Sequence, residues 1–438
     1  MRLALRVRAD ETAGQPRVKQ RLVLSRLVRG NVWGLLDQAV LSASAFGTTI
    51  LLARVLGPSP FGEFVLAYTA LLVLNAIQTA LITQPHNVLA ATKEESEYAA
   101  YTSAAASAQL LFAAVVAGGS ILAGAIAAAA GWDSSSLLLA LAPAVIGTQL
   151  LEFGRRVLYT EERLREALSI DVLGYVGQVV LLVLLWRLET LTGPAALLSL
   201  GATTTLAAVA GALKIRSGLE FPLRWAPPRG SWQFGKWLLG ARASFWISSY
   251  SYLYVAAAIL GTGASGVLKA AQTILAPLNV PLLFLDTILP IRFARIFQSG
   301  GIAALTRALA RAASVTVVPV TAYCLLASLF AQPILRIVYG EAYENYGFVV
   351  VLFAVYYFLS YISQLFIAGL NARRRTNAVF VAHAVGAATT VGGWVLVEAL
   401  GVEGAVAGMT IGIAGTLVLL ALFYWRREAA PPVGAAGS

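Results

Sequence analysis

The sequence predicts an all-α polytopic membrane protein with about twelve transmembrane helices in two six-helix lobes related by pseudo-two-fold symmetry. Three observations carry that reading. Hydrophobic residues make up 58% of the 438 and charged residues only 12%, and the apolar runs reach the roughly 20 residues that one bilayer crossing requires. Residues 33 to 85 and 237 to 289 can be laid over each other at a constant offset of 204 without a gap, with Trp33/Trp237, Leu56/Leu260, Gly57/Gly261, Gly62/Gly266, Thr69/Thr273 and Asn75/Asn279 as identical pairs. With the N-terminus in the cytoplasm, 28 of the 32 basic residues fall on that side, leaving only Arg54, Arg187, Lys269 and Arg336 on or toward the other. The positive-inside asymmetry therefore puts both termini in the cytoplasm and supports an even number of spans.

Taken in order, the chain begins with a basic cytoplasmic tail, residues 1–30, that lacks the apolar core and cleavage site of a removed signal peptide. Leu22, Val23, Leu27 and Val28 lie there among arginines, and read either as an interfacial helix on anionic lipid or as a disordered tail. Spans near 31–54 and 61–84 form a hairpin whose turn holds Gly57, Pro58, Pro60 and Gly62, residues of tight turns and close packing. Apolar runs at 98–130, 136–158, 167–187 and 194–213 complete an N-lobe over 31–213. Residues 214–236, with Pro222, Pro227 and Pro228 among Arg224, Arg229 and Lys236, form the one long polar connection and join the lobes. Spans 237–260 and 264–290 repeat the first hairpin. Further spans at 312–335, 346–370, 376–399 and 404–425 complete a C-lobe over 237–425, ahead of an Ala/Pro/Gly tail over 426–438.

Each repeat starts at a cytoplasmic end and contains six spans, so the halves share one topology about an axis along the membrane normal. That is the design of transporters that rock two lobes around a midplane site. The opposing reading is a bundle duplicated for stability alone. The longest extracytoplasmic loop, around Arg336–Tyr346, is short and carries Glu341 and Glu344 as solvated charges. No outer domain is expected to hold a catalytic centre, which weighs against a membrane glycosyltransferase, polymerase or ligase. The single Cys324 excludes an intramolecular disulfide, and two histidines leave little material for a metal site. No cofactor is expected. A net charge of +11 suggests nucleic acid in a soluble chain, but here it follows the membrane surface, and no nucleic-acid partner is expected.

Polar residues inside spans are costly and face a cavity or a partner helix. In the eighth span Lys269, Gln272, Asn279 and Asp286 follow steps of 3, 7 and 7 residues, which predicts one polar helix face within about a 100° arc. The second span has Tyr68, Asn75, Gln78 and His86, the first Asp37, Ser44 and Thr48, and the seventh Arg242, Ser249 and Tyr252. Ser44, Thr48 and Ser249 read as interhelical hydrogen-bond formers. Lys269 and Arg242 read as cavity residues, because an ionised side chain needs water or a counter-charge. Asp37 and Asp286 read either as partners for neighbouring cations or as proton carriers. His383, alone on an apolar helix, reads as a satisfied core residue. Tyrosines 250, 252, 254, 356, 357 and 361 suit sugar stacking, helix packing or an aromatic belt.

Four segments carry a family resemblance. The stretch Ala53-Arg54-Val55-Leu56-Gly57-Pro58-Ser59-Pro60-Phe61-Gly62 resembles the first outer turn of the O-antigen and exopolysaccharide (lipid-linked oligosaccharide) flippases of the multidrug/oligosaccharidyl-lipid/polysaccharide (MOP) exporter superfamily. Residues 266–272 resemble the start of their eighth helix, residues 369–375 the cytoplasmic turn after the tenth, and residues 401–407 the turn before the last. Together they place the resemblance over about residues 25 to 425.

The resemblance implies a V-shaped two-lobe bundle in a bacterial cytoplasmic membrane that moves a polyprenyl-diphosphate-linked oligosaccharide from the inner to the outer leaflet by alternating access. It implies cationic cavity residues facing the diphosphate, and Lys269 and Arg242 fit, with Arg54 near the outer mouth. Gln272, Asn279, Asn75, Gln78 and Tyr68 are the remaining candidates for substrate binding. If H+ or Na+ is countertransported, Asp37, Glu152 or Asp286 are its carriers. Membrane lipid, and contacts with a polymerase or glycosyltransferases, complete the implied partners. Lipid II flippases of the superfamily usually carry two more spans than are read here. The alternative transporter is a multidrug and toxin exporter for organic cations, in which Asp37 serves as the cation or proton site and Lys269 and Arg242 are awkward.

Overall fold

A computed structural model describes residues 15–220, 230–279, 282, 285, 289–373 and 375–426, with side chains from residue 32 onward. Among these residues every regular element is helical. In chain order they are α1 (Gln15–Leu56), α2 (Pro58–Thr92), α3 (Glu95–Ala129), α4 (Ser135–Thr160), α5 (Leu164–Arg187), α6 (Gly193–Ile215), α7 (Ser231–Leu260), α8 (Thr262–Ile274), α9 (Leu289–Leu329), α10 (Ala331–Tyr339), α11 (Gly347–Ala372), α12 (Thr376–Gly392) and α13 (Val395–Trp425). Nine helices among the described residues are long and apolar enough to cross a membrane, a shorter apolar segment, Ser249–Leu260, lies in α7, and α8 and α12 fall within the other two expected spans. The chain is a multi-pass membrane protein. The central part of the linker, Asp286, residues 1–14 and the tail beyond residue 426 lie outside the described residues.

Contacts divide the chain into two compact units. The first comprises residues 1–48 and 71–239, the second residues 49–70 and 240–438. In the first, α4 packs along α3 and α6. Lipid tails are as apolar as leucine, so membrane helices associate through close backbone approach rather than through apolar burial. Small residues permit it here: a Cβ on Gly147 would lie 2.3 Å from Thr204 Oγ1, and one on Gly201 would lie 2.7 Å from the Pro143 carbonyl carbon. In the second unit α11 packs along α9 and α13, and α12 lies on α13, where Gly386 and Gly412 each face the hydroxyl of a threonine on the opposite helix.

The internal repeat has a direct structural counterpart in the second unit. Gly57 and Gly261 end α1 and α7 with φ of +74° and +89°, values that favour glycine because it has no Cβ. Beyond these turns, α2 and α8 meet reciprocally. A Cβ on Gly62 would lie 1.8 Å from the Thr262 carbonyl oxygen, and a Cβ on Gly266 would lie 2.2 Å from the Pro58 carbonyl oxygen. Pro58 and Thr262 are themselves equivalent at the offset of 204, so the two copies touch through the same surface, as in an isologous interface.

Several elements depart from the sequence reading. The polar stripe of the eighth span is not one continuous α-helix: α8 ends at Ile274, and Ala276–Leu278 forms a 3₁₀ turn. Pro277 there lacks an N–H and cannot continue the α ladder, so Asn279 does not share the helical register of Lys269 and Gln272. The ninth span ends at Leu329, and residues 331–335 belong instead to the separate helix α10. Wide π turns interrupt α2 at Thr79–Thr83 and α5 at Val172–Val176. His383 is exposed, its Nδ1 3.0 Å from the Val379 carbonyl, and is not a core residue. Glu341 and Glu344 both approach Arg336, at 3.6 and 3.7 Å. At the other end of α11, Arg373 and Arg375 donate to the carbonyls of Tyr424 and Phe423 and cap the last helix.

Candidate functional site

In the second unit Lys269 stands on α8, eight residues or about 12 Å beyond the Gly261 turn. It is half-buried. Its Nζ donates to Gln272 Oε1 at 3.2 Å, and among the described residues no carboxylate pairs with it. The spacing of three residues puts lysine and amide on one helix face.

The same unit holds a set of tyrosines. Tyr68 is half-buried, stacked on Phe64 at 5.7 Å, and neighbours Tyr250. Tyr250 in turn stacks on Trp246 at 4.2 Å. Tyr356 and Tyr357 stand edge to face at 5.6 Å, and Tyr357 is a hydrogen-bonding neighbour of the exposed Asn279. Behind them Tyr252 is fully buried against Phe353, and its hydroxyl has no hydrogen-bond partner. The second unit thus holds Tyr68, Tyr250 and Tyr356 as aromatic side chains, Lys269 as a cation, and Gln272 and Asn279 as amides.

The other candidate cations are placed differently. Arg242 is exposed on α7, eighteen residues before Leu260, which puts it roughly 15 Å from the level of Lys269 along the helix axes. Arg54 is exposed and donates to the Ile337 carbonyl at 2.8 Å, which ties the end of α1 to α10. Asn75 and Gln78 lie in the first unit within an amide ladder. Gln78 Nε2 donates to Gln109 Oε1 and to the Gln149 carbonyl, both at 2.8 Å, and Gln149 Nε2 donates to Asn75 Oδ1 at 2.9 Å. Gln78 is fully buried and Asn75 half-buried, so this ladder binds α2, α3 and α4 together.

The first unit also holds a buried ionic network. Asp37 is 1% exposed and accepts from the Tyr159 hydroxyl. Asp171 is 0% exposed, sits one residue before the π turn of α5, and accepts from Arg155 at 3.4 Å. Arg155 also bonds Glu152, whose second oxygen accepts from Arg156 at 2.7 Å. Asp37 and Asp171 are hydrogen-bonding neighbours, and each has one buried carboxyl oxygen without a donor. Three carboxyls against two guanidiniums leave the network one positive charge short. Glu152 is committed to two arginines, whereas Asp37 and Asp171 face each other. The sequence reading missed Asp171, Arg155 and Tyr159; the available signal was an acid inside the apolar run 167–187.

No family model matches this sequence, and the comparison with curated proteins finds no match. Solved structures are similar to it. An inward-facing MATE-family multidrug resistance transporter of the MOP superfamily superimposes with a TM-score of 0.69 at 15% identity, over 87% of this chain and 93% of its own. The chain has the fold of these transporters. The lipid II flippase MurJ in an inward closed conformation gives 0.66 at 13% identity, over 90% and 87%. A MOP-superfamily transporter from Pyrococcus furiosus, for which reversed polarity of the binding pocket suggests a different function, gives 0.61 at 16%, over 91% and 94%. The two-lobe, roughly twelve-helix architecture read from the repeat is thus the observed fold class.

Proposed function

We propose that this protein is an alternating-access flippase that moves a polyprenyl-diphosphate-linked oligosaccharide from the cytoplasmic to the outer leaflet. The observation that carries the proposal is Lys269, a half-buried cation without a carboxylate partner among the described residues, in the same compact unit as Tyr68, Tyr250 and Tyr356. An ammonium group suits a diphosphate by charge and hydrogen bonding. Tyrosine faces suit the apolar faces of sugar rings, and the amides of Gln272 and Asn279 suit their hydroxyls. Export of net negative charge from a negative interior is favoured by about 2.3 kcal/mol per charge per 100 mV.

On this reading Asp37 and Asp171 form the coupling element of the first unit, with the missing positive charge supplied by one proton or one monovalent cation. Arg242 meets the cargo nearer the cytoplasm and Arg54 serves the outer helix rather than the diphosphate. An organic-cation exporter is disfavoured, because Asp37 lies buried beneath Tyr159 where a bulky cation has no access. The test is removal of the gene. Accumulation of a lipid-linked glycan with unchanged drug sensitivity supports the flippase, whereas drug hypersensitivity without glycan accumulation refutes it.

A further inference from the structure

Helices α3 and α6 stand on either side of α4 and leave a groove between them. It has a volume of about 240 Å³ and is lined by carbon almost throughout, with Ala106, Gly154, Ala208, Ala212 and Ile215 keeping it open and Gln109 as a polar member of the lining. A Cβ on Gly154 would meet nothing closer than Gly211 at 3.9 Å, so the floor is recessed rather than packed. The α6 lining runs from Thr205 to Ile215, ten residue-to-residue steps, or about 15 Å at 1.5 Å per residue. That is half the thickness of a bilayer core, so the groove belongs to one leaflet.

All three helices are membrane spans, and Leu110 and Val209 on the rims are exposed. The groove therefore opens onto lipid. An apolar recess of this kind does not hold water, which needs several polar partners. Left empty, its lining atoms lose dispersion contacts, and a hydrocarbon chain restores them. Chain burial alone does not select a lipid, because the groove is no more apolar than the bilayer. Selection has to come from the mouth.

At the mouth the chain leaves α6 through Arg216–Gly218. Nearby cations are already engaged: Lys214 pairs with Glu166 at 3.5 Å, and Arg163 holds Glu161 and Glu166 at 2.7 and 2.8 Å. Arg216 is exposed and has no ion pair among the described residues, and the exposed Ser217 hydroxyl follows it. A guanidinium with no ion pair among the described residues, beside a hydroxyl at the end of a chain-sized groove, matches a phosphate attached to an acyl chain.

We propose that this groove binds one anionic phospholipid of the cytoplasmic leaflet, one acyl chain between α3 and α6 and its phosphate on Arg216. The proposal is independent of the cargo assigned above. Native mass spectrometry of the full-length protein with equimolar phosphatidylglycerol and phosphatidylcholine tests it. One retained phosphatidylglycerol is expected, preferred about fivefold, the effect of one basic residue at a membrane surface. Arg216→Gln should abolish the preference while lipid is still retained, and Ala212→Phe should remove the retained lipid altogether. If Ala212→Phe fails to fold, photocrosslinking of the unmodified protein by chain-labelled phosphatidylglycerol decides: enrichment at Gln109–Leu110 and residues 208–212 supports the site. Equal retention of both lipids, an unchanged preference in Arg216→Gln, label spread evenly over the spans, or displacement by polyprenyl phosphate at lower concentration than by phosphatidylglycerol overturns it.

Discussion

Placing a methyl group at the crossing of the two repeats tests the meaning of their symmetry. In Gly62→Ala the new Cβ starts 1.8 Å from the Thr262 carbonyl oxygen, and in Gly266→Ala it starts 2.2 Å from that of Pro58. Ordinary contact begins near 3.4 Å, so the helices must part by about 1–2 Å, and the obstacle is backbone that cannot rotate away. Overpacking of this kind costs about 1–3 kcal/mol, and the higher helix propensity of alanine returns up to about 1 kcal/mol. Each variant should therefore lose about 2 kcal/mol. Because both substitutions open the same crossing, the second adds less once the first has parted the helices, so the double variant should fall about 1 kcal/mol or more short of additivity. Denaturant unfolding in detergent micelles measures all four corners of the cycle. Gly34, where a Cβ meets nothing within 4 Å, supplies the control, and Gly34→Ala should be neutral or stabilising. Full additivity, or a Gly62→Ala variant as stable as Gly34→Ala, refutes a reciprocal contact between the repeats.

Three further outcomes follow from the polar contacts. Arg155→Met leaves Asp171 and one oxygen of Glu152 buried without their cation and should destabilise the protein by about 3–5 kcal/mol, with part of the loss recovered in an Asp171→Asn background; chemical unfolding measures both. Gln78→Leu strands Gln109 Oε1 and removes the second donor to the Gln149 carbonyl, and should cost about 1–3 kcal/mol in the same assay. Arg54→Ala should leave flipping unchanged and accelerate hydrogen exchange in α10, whose Ile337 carbonyl loses its donor.

What the sequence made legible was whatever repeats or alternates. The pairs Gly57/Gly261 and Gly62/Gly266 stood out because they recur at one offset, and the structure places them at two turns and one crossing. Span number followed from apolar length and from the distribution of arginine and lysine. Features set by a single residue or by distant partners stayed hidden. Pro277 interrupts a stripe that periodicity alone carries through to Asn279. Arg54 carries a positive charge like any other candidate, and only the fold shows the Ile337 carbonyl that engages it. Asp171 lies well over a hundred residues from Asp37 in sequence, so nothing local marks them as neighbours, and Gln78 reads as a cavity amide until Gln109 and Gln149 are seen around it.

The central claim is that an anionic cargo meets Lys269. It is tested most directly by leaflet-exchange assays of a fluorescent polyprenyl-diphosphate-linked oligosaccharide in proteoliposomes, run beside uptake of an organic cation. The wild type should flip the lipid-linked sugar and ignore the cation. Loss of one charge-assisted hydrogen bond is worth about 1.5–3 kcal/mol, so Lys269→Met should slow flipping about tenfold to a hundredfold, with Lys269→Arg retaining much of the activity. A Lys269→Met protein that flips at the wild-type rate, or a wild type that moves only the organic cation, contradicts the claim.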